Sequence, residues 1–163
     1  MSGIALHLLR HAHAGDPARW HGDDDVRPLS EKGRRQAEQL AKRLARTDEA
    51  PDLFITSPRA RARETAEIVA AALKAEVVVD RRLGGPLGPD LVTDILLAAG
   101  PAERPCIVGH DPDFSELLGD LVGNAPIPMR KGAFARVDFA GPDVVAGRGL
   151  LRYLIPPEML PSR

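Results

Sequence analysis

Three stretches of the chain bring histidine, arginine and a small residue together: Arg10-His11, the run from Ser57 to Arg61, and Gly109-His110. Two imidazoles and two guanidiniums in one place are a coherent set for phosphoryl transfer. A neutral imidazole can attack phosphorus, and fixed cations hold the equatorial oxygens as charge shifts. None of these groups needs a metal to do so. Histidine spacing offers a rival, because His7, His11 and His13 share one strand face at period two and Asp16 lies near. That pattern would suit a divalent-metal hydrolase, but it completes no ligand set and leaves the arginines without a task.

The elements that would carry these residues alternate. Ile4 to Leu9 reads as a buried strand, and a polar, Asp-rich loop follows to Leu29. Ser30 then caps a helix whose Ala37, Leu40, Ala41 and Leu44 fall on one face. Leu53 to Thr56 is a second strand. Ser57-Pro58 reads as the N-cap and first position of a second helix, buried through Ala66, Val69, Ala70 and Leu73. Val77 to Val79, the loop from Leu83 to Pro89, a helix through Val92 and Ile95 stopped by Gly100, and Cys106 to Val108 continue the pattern. A helix through Phe114, Leu117, Leu118 and Leu121 and two closing strands, Ala133 to Phe139 and Leu150 to Ile155, complete it. Such alternation predicts an α/β fold: a three-layer sandwich around a mostly parallel six-stranded sheet with one antiparallel strand. In such sheets ligands sit beyond the C-terminal strand ends, which is where all three stretches fall.

Composition sets the bounds. The 163 residues carry 22 basic and 23 acidic side chains, a net charge of −1, so bulk binding to nucleic acid or anionic membrane is not expected. Of the basic residues 18 are arginine, the side chain whose planar fork grips phosphate, although codon bias alone would give the same count. The single cysteine, Cys106, excludes an intrachain disulfide and reads as core. No apolar stretch approaches a membrane span and the N-terminus lacks a signal pattern, so a cytoplasmic protein is expected, with residues 1–163 as one domain.

Four segments resemble the histidine phosphatase superfamily, which has the phosphoglycerate-mutase-like fold. LLRHAHA stands at the Arg-His-Gly signature, with Ala12 in place of the glycine. RPLSEKGRRQA (27–37), SPRARARETA (57–66) and VGHDP (108–112) resemble the family's later motifs, in order and at the right spacing. Length and the VRPLS block are similar to the SixA-like branch of phosphohistidine phosphatases. The resemblance implies that His11 is phosphorylated as the nucleophile, that Arg10 and Arg61 bind the phosphoryl group, and that His110 completes the catalytic set. Family spacing selects Arg61, between Ser57 and Thr65, over Arg59 and Arg63, which are expected to be solvated. Arg10, Arg61, Ser57 and Arg27 are the expected substrate-binding residues, with Arg27 read either as pocket rim or as a structural ion pair. No metal or cofactor is implied.

One departure carries weight. Mutase-like members place a glutamate acid after the third strand, whereas here Leu83 leads into Gly84-Gly85 and no Glu follows until Glu103. Lacking an acid weakens alkoxide departure by about 10²–10⁴-fold, which favours phosphohistidine, whose leaving group departs more easily. Asp80 and Asp90 are the candidate substitutes. The implied partner is a phosphorylated histidine-containing carrier or phosphotransfer protein, with inorganic phosphate as product. A small-metabolite phosphomonoesterase of the same fold and a non-catalytic phospho-binding module are the alternatives. Of the remainder, Asp23-Asp24-Asp25 reads as a solvated loop, Trp20 and His21 as loop residues, and Arg130-Lys131 as protection of an edge strand.

Overall fold

The computed structural model describes residues 3–162. Four helices and six strands alternate: β1 (Ile4–Arg10), α1 (Glu31–Leu44), β2 (Leu53–Thr56), α2 (Ala60–Leu73), β3 (Glu76–Val79), α3 (Pro89–Ala99), β4 (Pro105–Gly109), α4 (Asp113–Val122), β5 (Phe134–Phe139) and β6 (Leu150–Ile155). The strands form one sheet in the order β3-β2-β4-β1-β5-β6. Pairings from β3 to β1 are parallel, and β5 runs antiparallel to both β1 and β6. The sheet is therefore mostly parallel with one reversed strand, as the alternation predicts.

Side-chain alternation splits the core into two layers. Leu6 and Leu8 of β1, Leu53 and Ile55 of β2 and Ile107 of β4 face α3 and α4, where Val92, Ile95, Phe114, Leu117 and Leu118 meet them. Leu9, Phe54, Cys106 and Val108 point the other way, onto Leu40 and Leu44 of α1 and Ala62, Ala66 and Val69 of α2. Buried phenylalanines anchor both layers, and truncating Phe54 or Phe114, each fully buried, would cost about 3–5 kcal/mol. Among the described residues no helix is long and apolar enough to cross a membrane.

Several local expectations change. Helix α2 begins at Ala60 with Arg59 at its N-cap position, so Ser57 does not cap it. The Ser57 hydroxyl is engaged elsewhere, with His110. Ser30 does cap α1, accepting from the Gly33 N–H at 3.1 Å. The Asp-rich loop contains two short 3₁₀ turns, Pro17–Arg19 and Asp24–Val26. Strand β5 lies between β1 and β6, so Arg130 and Lys131 have no edge there to protect.

Two glycines are sterically required near the strand ends. A Cβ on Gly33 would collide with the His13 carbonyl oxygen, so only glycine lets α1 sit against the segment after His11. A Cβ on Gly109 would lie 2.6 Å from Cε1 of Phe114, which closes the space beneath His110.

Candidate active site

The parallel ladder continues past the strand ends and so fixes the backbone that bears the polar residues. The His11 N–H donates to the Gly109 carbonyl at 3.0 Å, Ser57 N–H to Val108 at 3.0 Å, and Asp80 N–H to Thr56 at 2.9 Å. From the β5 side, the Gly132 N–H donates to the carbonyls of Arg10 and His11 at 3.1 and 2.9 Å. Helix α2 is tied in by Thr65, whose hydroxyl donates to the Arg61 carbonyl at 2.7 Å and accepts from the Ala12 N–H at 3.1 Å. The turn bearing Arg61 is thereby joined to the residue after His11.

The two imidazoles meet at the centre. The rings of His11 and His110 lie 5.3 Å apart at 52°, and each residue is 5–6% exposed. Burial, reinforced for His11 by Arg61, Arg10 and Lys131, lowers both from the ordinary 6.5 to about 3, so both are neutral near pH 7. His11 Nδ1 is 2.8 Å from the Ala12 carbonyl oxygen, which can only accept, so Nδ1 carries the proton and Nε2 keeps its lone pair. His110 is set the opposite way. Its Nε2 lies 2.7 Å from Ser57 Oγ, which itself accepts from the Arg59 N–H at 3.3 Å. In the tautomer in which Ser57 donates to Nε2, the His110 proton is on Nδ1, an atom that is buried without a protein partner.

The arginines repeat this pattern of one edge anchored and one left over. Arg10 donates from one terminal nitrogen to the Met129 carbonyl at 2.8 Å and lies 3.6 Å from Asp111. Ser115 holds that carboxylate, its hydroxyl 2.8 and 2.7 Å from the two oxygens. Arg61 donates to the carbonyl and carboxylate of Asp24 at 2.9 and 3.1 Å. Nε of Arg10 and Nε of Arg61 are both buried with no protein partner. With His110 Nδ1, and with His7 Nε2 in the core, these are the four buried side-chain nitrogens without a partner among the described residues; the three beside His11 could satisfy an oxyanion, since a buried unpaired donor costs about 1–3 kcal/mol.

Of the expected residues, Arg10, His11, Ser57, Arg61 and His110 come together. Ser57 is fully buried and is turned to His110. Arg27 is buried and shows the ion pair of its two readings: its Nε donates to Asp24 at 2.9 Å and a terminal nitrogen to the Ala14 carbonyl at 2.7 Å, which fixes it beside the Arg61 partner. Arg63 is exposed, but Arg59 is half-buried and paired with Asp25 at 3.1 Å. The three aspartates are accordingly no simple solvated loop, since Asp24 and Asp25 hold three arginines between them.

The histidine rival separates in space. Strand β1 ends at Arg10, so period two lapses before His11. His7 stacks on Phe134 with ring centroids 5.2 Å apart, and His13 Nδ1 meets the Ser30 hydroxyl at 2.7 Å. Among the described residues no three His, Cys, Asp or Glu side chains gather as a metal site. Asp80 is held below the usual carboxylate range by hydrogen bonds from Arg82, a poor state for an acid, and Asp90 is exposed in the first turn of α3. Position 84 faces the site: a Cβ there would lie 3.9 Å from Ser57 Oγ, with nothing else as near. Sequence reasoning missed Asp24, Thr65 and Lys131. Lys131 is half-buried and acts electrostatically on His11, a closeness foreshadowed only by its place next to Gly132.

The sheet order, the two helical layers and a site at the C-terminal ends of β1, β2 and β4 define an α/β protein of the phosphoglycerate-mutase-like architecture. More narrowly, the chain belongs to the histidine phosphatase superfamily, whose branch 1 pattern matches residues 6–84. An uncharacterized protein of Picosynechococcus sp. is 39% identical over 116 residues, covering 69% of this chain and 70% of that one. A Nakamurella multipartitia structure described as a phosphohistidine phosphatase SixA superposes with a TM-score of 0.77 at 26% identity, over 96% and 98% of the two chains. The protein histidine phosphatase SixA complexed with tungstate gives 0.77 at 23%, over 94% and 97%. A mycobacterial glucosyl-3-phosphoglycerate phosphatase shares the fold at 0.68 and 19%, over 92% and 97%.

Proposed function

We propose that this protein is a metal-independent phosphohistidine phosphatase, acting in the cytoplasm on a phosphorylated histidine-containing carrier or phosphotransfer protein. The observation that carries the reading is the bare backbone at Gly84: the position facing Ser57 bears no carboxylic acid beside a neutral, oriented His11.

His11 Nε2 attacks phosphorus in line, a bond forms to Nε2, and the bond from phosphorus to the substrate imidazole breaks. That imidazole carries its own second nitrogen, which takes a proton from solvent, so it departs neutral and needs no acid from the protein. An alkoxide has no such site, which is why a missing acid penalises monoesters. Nε of Arg10, Nε of Arg61 and Nδ1 of His110 donate to the equatorial oxygens, where charge gathers in the transition state. Water then attacks the phosphoryl group on His11, inorganic phosphate leaves, and Nε2 regains its lone pair.

A panel of phosphohistidine proteins, acyl phosphates and sugar or nucleotide monoesters, assayed with chelator present, tests this. The phosphohistidine proteins should turn over at least tenfold faster, in kcat/KM, than any monoester. A monoester that matches them would overturn the assignment.

A further inference from the structure

We propose that Asp24 sets the charge of the phosphoryl pocket, offsetting Arg61 and Arg27 so that inorganic phosphate is released after turnover instead of being retained. The inference rests on reading Arg10, Arg61, His11 and His110 as a phosphoryl site.

Asp24 divides its carboxylate between two buried guanidiniums. One oxygen accepts from Arg27 Nε at 2.9 Å and the other from a terminal nitrogen of Arg61 at 3.1 Å, while the Asp24 carbonyl takes the second terminal nitrogen of Arg61 at 2.9 Å. The arginine side chains are 8% and 7% exposed, that of Asp24 54%. The carboxylate therefore covers the outer edge of Arg61 and leaves the buried Nε, which has no protein partner, for a ligand.

The turn is built to keep it there. Asp23 accepts from the Asp25 N–H at 2.9 Å, Asp25 pairs with Arg59 at 3.1 Å, and Arg27 is tied to the Ala14 carbonyl at 2.7 Å. Solvent reaches Asp24, yet its position is fixed from three sides.

The charge balance explains what such a residue does. Arg10, Arg27 and Arg61 each act on Lys131 across the pocket, with Asp16 acting the other way. Against these four cations the described residues set two carboxylates at ion-pair distance, Asp111 on Arg10 and Asp24 on the other arginines. The remaining excess suits a doubly negative phosphoryl group. Without Asp24 the excess rises by one unit and attracts the product as strongly as the transition state, and such uniform binding does not speed turnover.

An alternative role, merely holding Arg61 in place, predicts the opposite sign. Asp24→Asn keeps the size and one acceptor oxygen but removes the charge. Inorganic phosphate binding to the purified protein, measured by titration calorimetry, should tighten by about tenfold in Asp24→Asn, the scale of one partly screened charge at this range. KM for a phosphohistidine protein should fall with it, without a rise in kcat. Asp25→Asn, on the same turn but paired with Arg59 and with neither Arg61 nor Arg27, should stay within about twofold of the parent and shows that loosening the turn is not the cause. Unchanged or weaker phosphate binding in Asp24→Asn, or equal tightening in Asp25→Asn, overturns the proposal. If the parent protein binds no phosphate at all, the phosphoryl-site reading fails with it, a result distinct from the other two.

Discussion

Ser57 Oγ lies 2.7 Å from Nε2 of His110, so a serine that spacing alone makes a helix cap is instead the hydrogen-bond partner of one imidazole nitrogen. Ser57 also accepts from the Arg59 N–H, which leaves the hydroxyl one hydrogen to give to the imidazole and one lone pair. Ser57→Ala should release His110 from its hydroxyl partner and let its Nδ1 present a lone pair to a phosphoryl oxygen. We expect kcat to fall by about 10- to 100-fold with KM changed less than threefold. Steady-state kinetics on a phosphohistidine protein check this, and an unchanged kcat would remove Ser57 from the account.

Arg61 is anchored by Asp24 and by the turn that Thr65 holds, with Nε left over. Arg61→Ala should cost about 3 kcal/mol of transition-state stabilisation, a loss of more than 100-fold in kcat/KM. Arg63→Ala, on an exposed face, should cost almost nothing. The comparison of kcat/KM for the two variants decides whether Arg61 has been assigned correctly.

The open wall at Gly84 can be filled. Its backbone is outside the left-handed region and a Cβ there meets only Ser57 Oγ at 3.9 Å, so a side chain can start at this position without a clash. Gly84→Glu should supply the missing acid and raise hydrolysis of alkyl phosphate monoesters by at least about tenfold, part of the range such groups contribute, while phosphohistidine turnover changes little. Equal gains on both substrate types would contradict the leaving-group argument.

His7 gives a prediction about stability rather than activity. It is fully buried against Phe134, and burial lowers it from the ordinary 6.5 to about 4. The unfolded chain binds a proton below pH 6.5 that the folded state refuses until about pH 4, so the stabilisation present above 6.5 is lost as pH falls across that window. The loss from this residue is up to about 3 kcal/mol. His7→Phe should flatten the dependence of the unfolding midpoint on pH between 6.5 and 4, read by circular dichroism at several pH values. A slope equal to the parent's would assign the acid sensitivity to other groups, His11 and His110 first.

Much of the fold is legible in the sequence because its signals are local. Apolar runs at 4–9, 53–56 and 106–108 and helical stripes such as Ala37, Leu40, Ala41 and Leu44 each report their own burial. The rule that ligands sit at strand ends then gathers Arg10, His11, Arg61 and His110. What escaped depended on contacts between distant segments. Asp24 reaches Arg61 across 37 positions, Ser57 reaches His110 across 53, and Ala12 meets Thr65 across 53, none of which leaves a periodic trace. Lys131 was misread because edge protection presumes a strand at the sheet's rim, and β5 is covered on both sides. The shared strand face read for His7, His11 and His13 fails for a related reason: period two holds only while the strand lasts, and β1 ends one residue before His11.

The central claim is that Nε2 of His11 takes the phosphoryl group. Rapid mixing with a radiolabelled phosphohistidine protein, an alkaline quench that preserves phosphoramidates, and peptide mapping measure it directly. A transient acid-labile label is expected on the peptide containing His11, forming and decaying at rates that support turnover, and absent from His11→Ala, which should not turn over. Turnover with no label on that peptide, or substantial activity in His11→Ala, would contradict it.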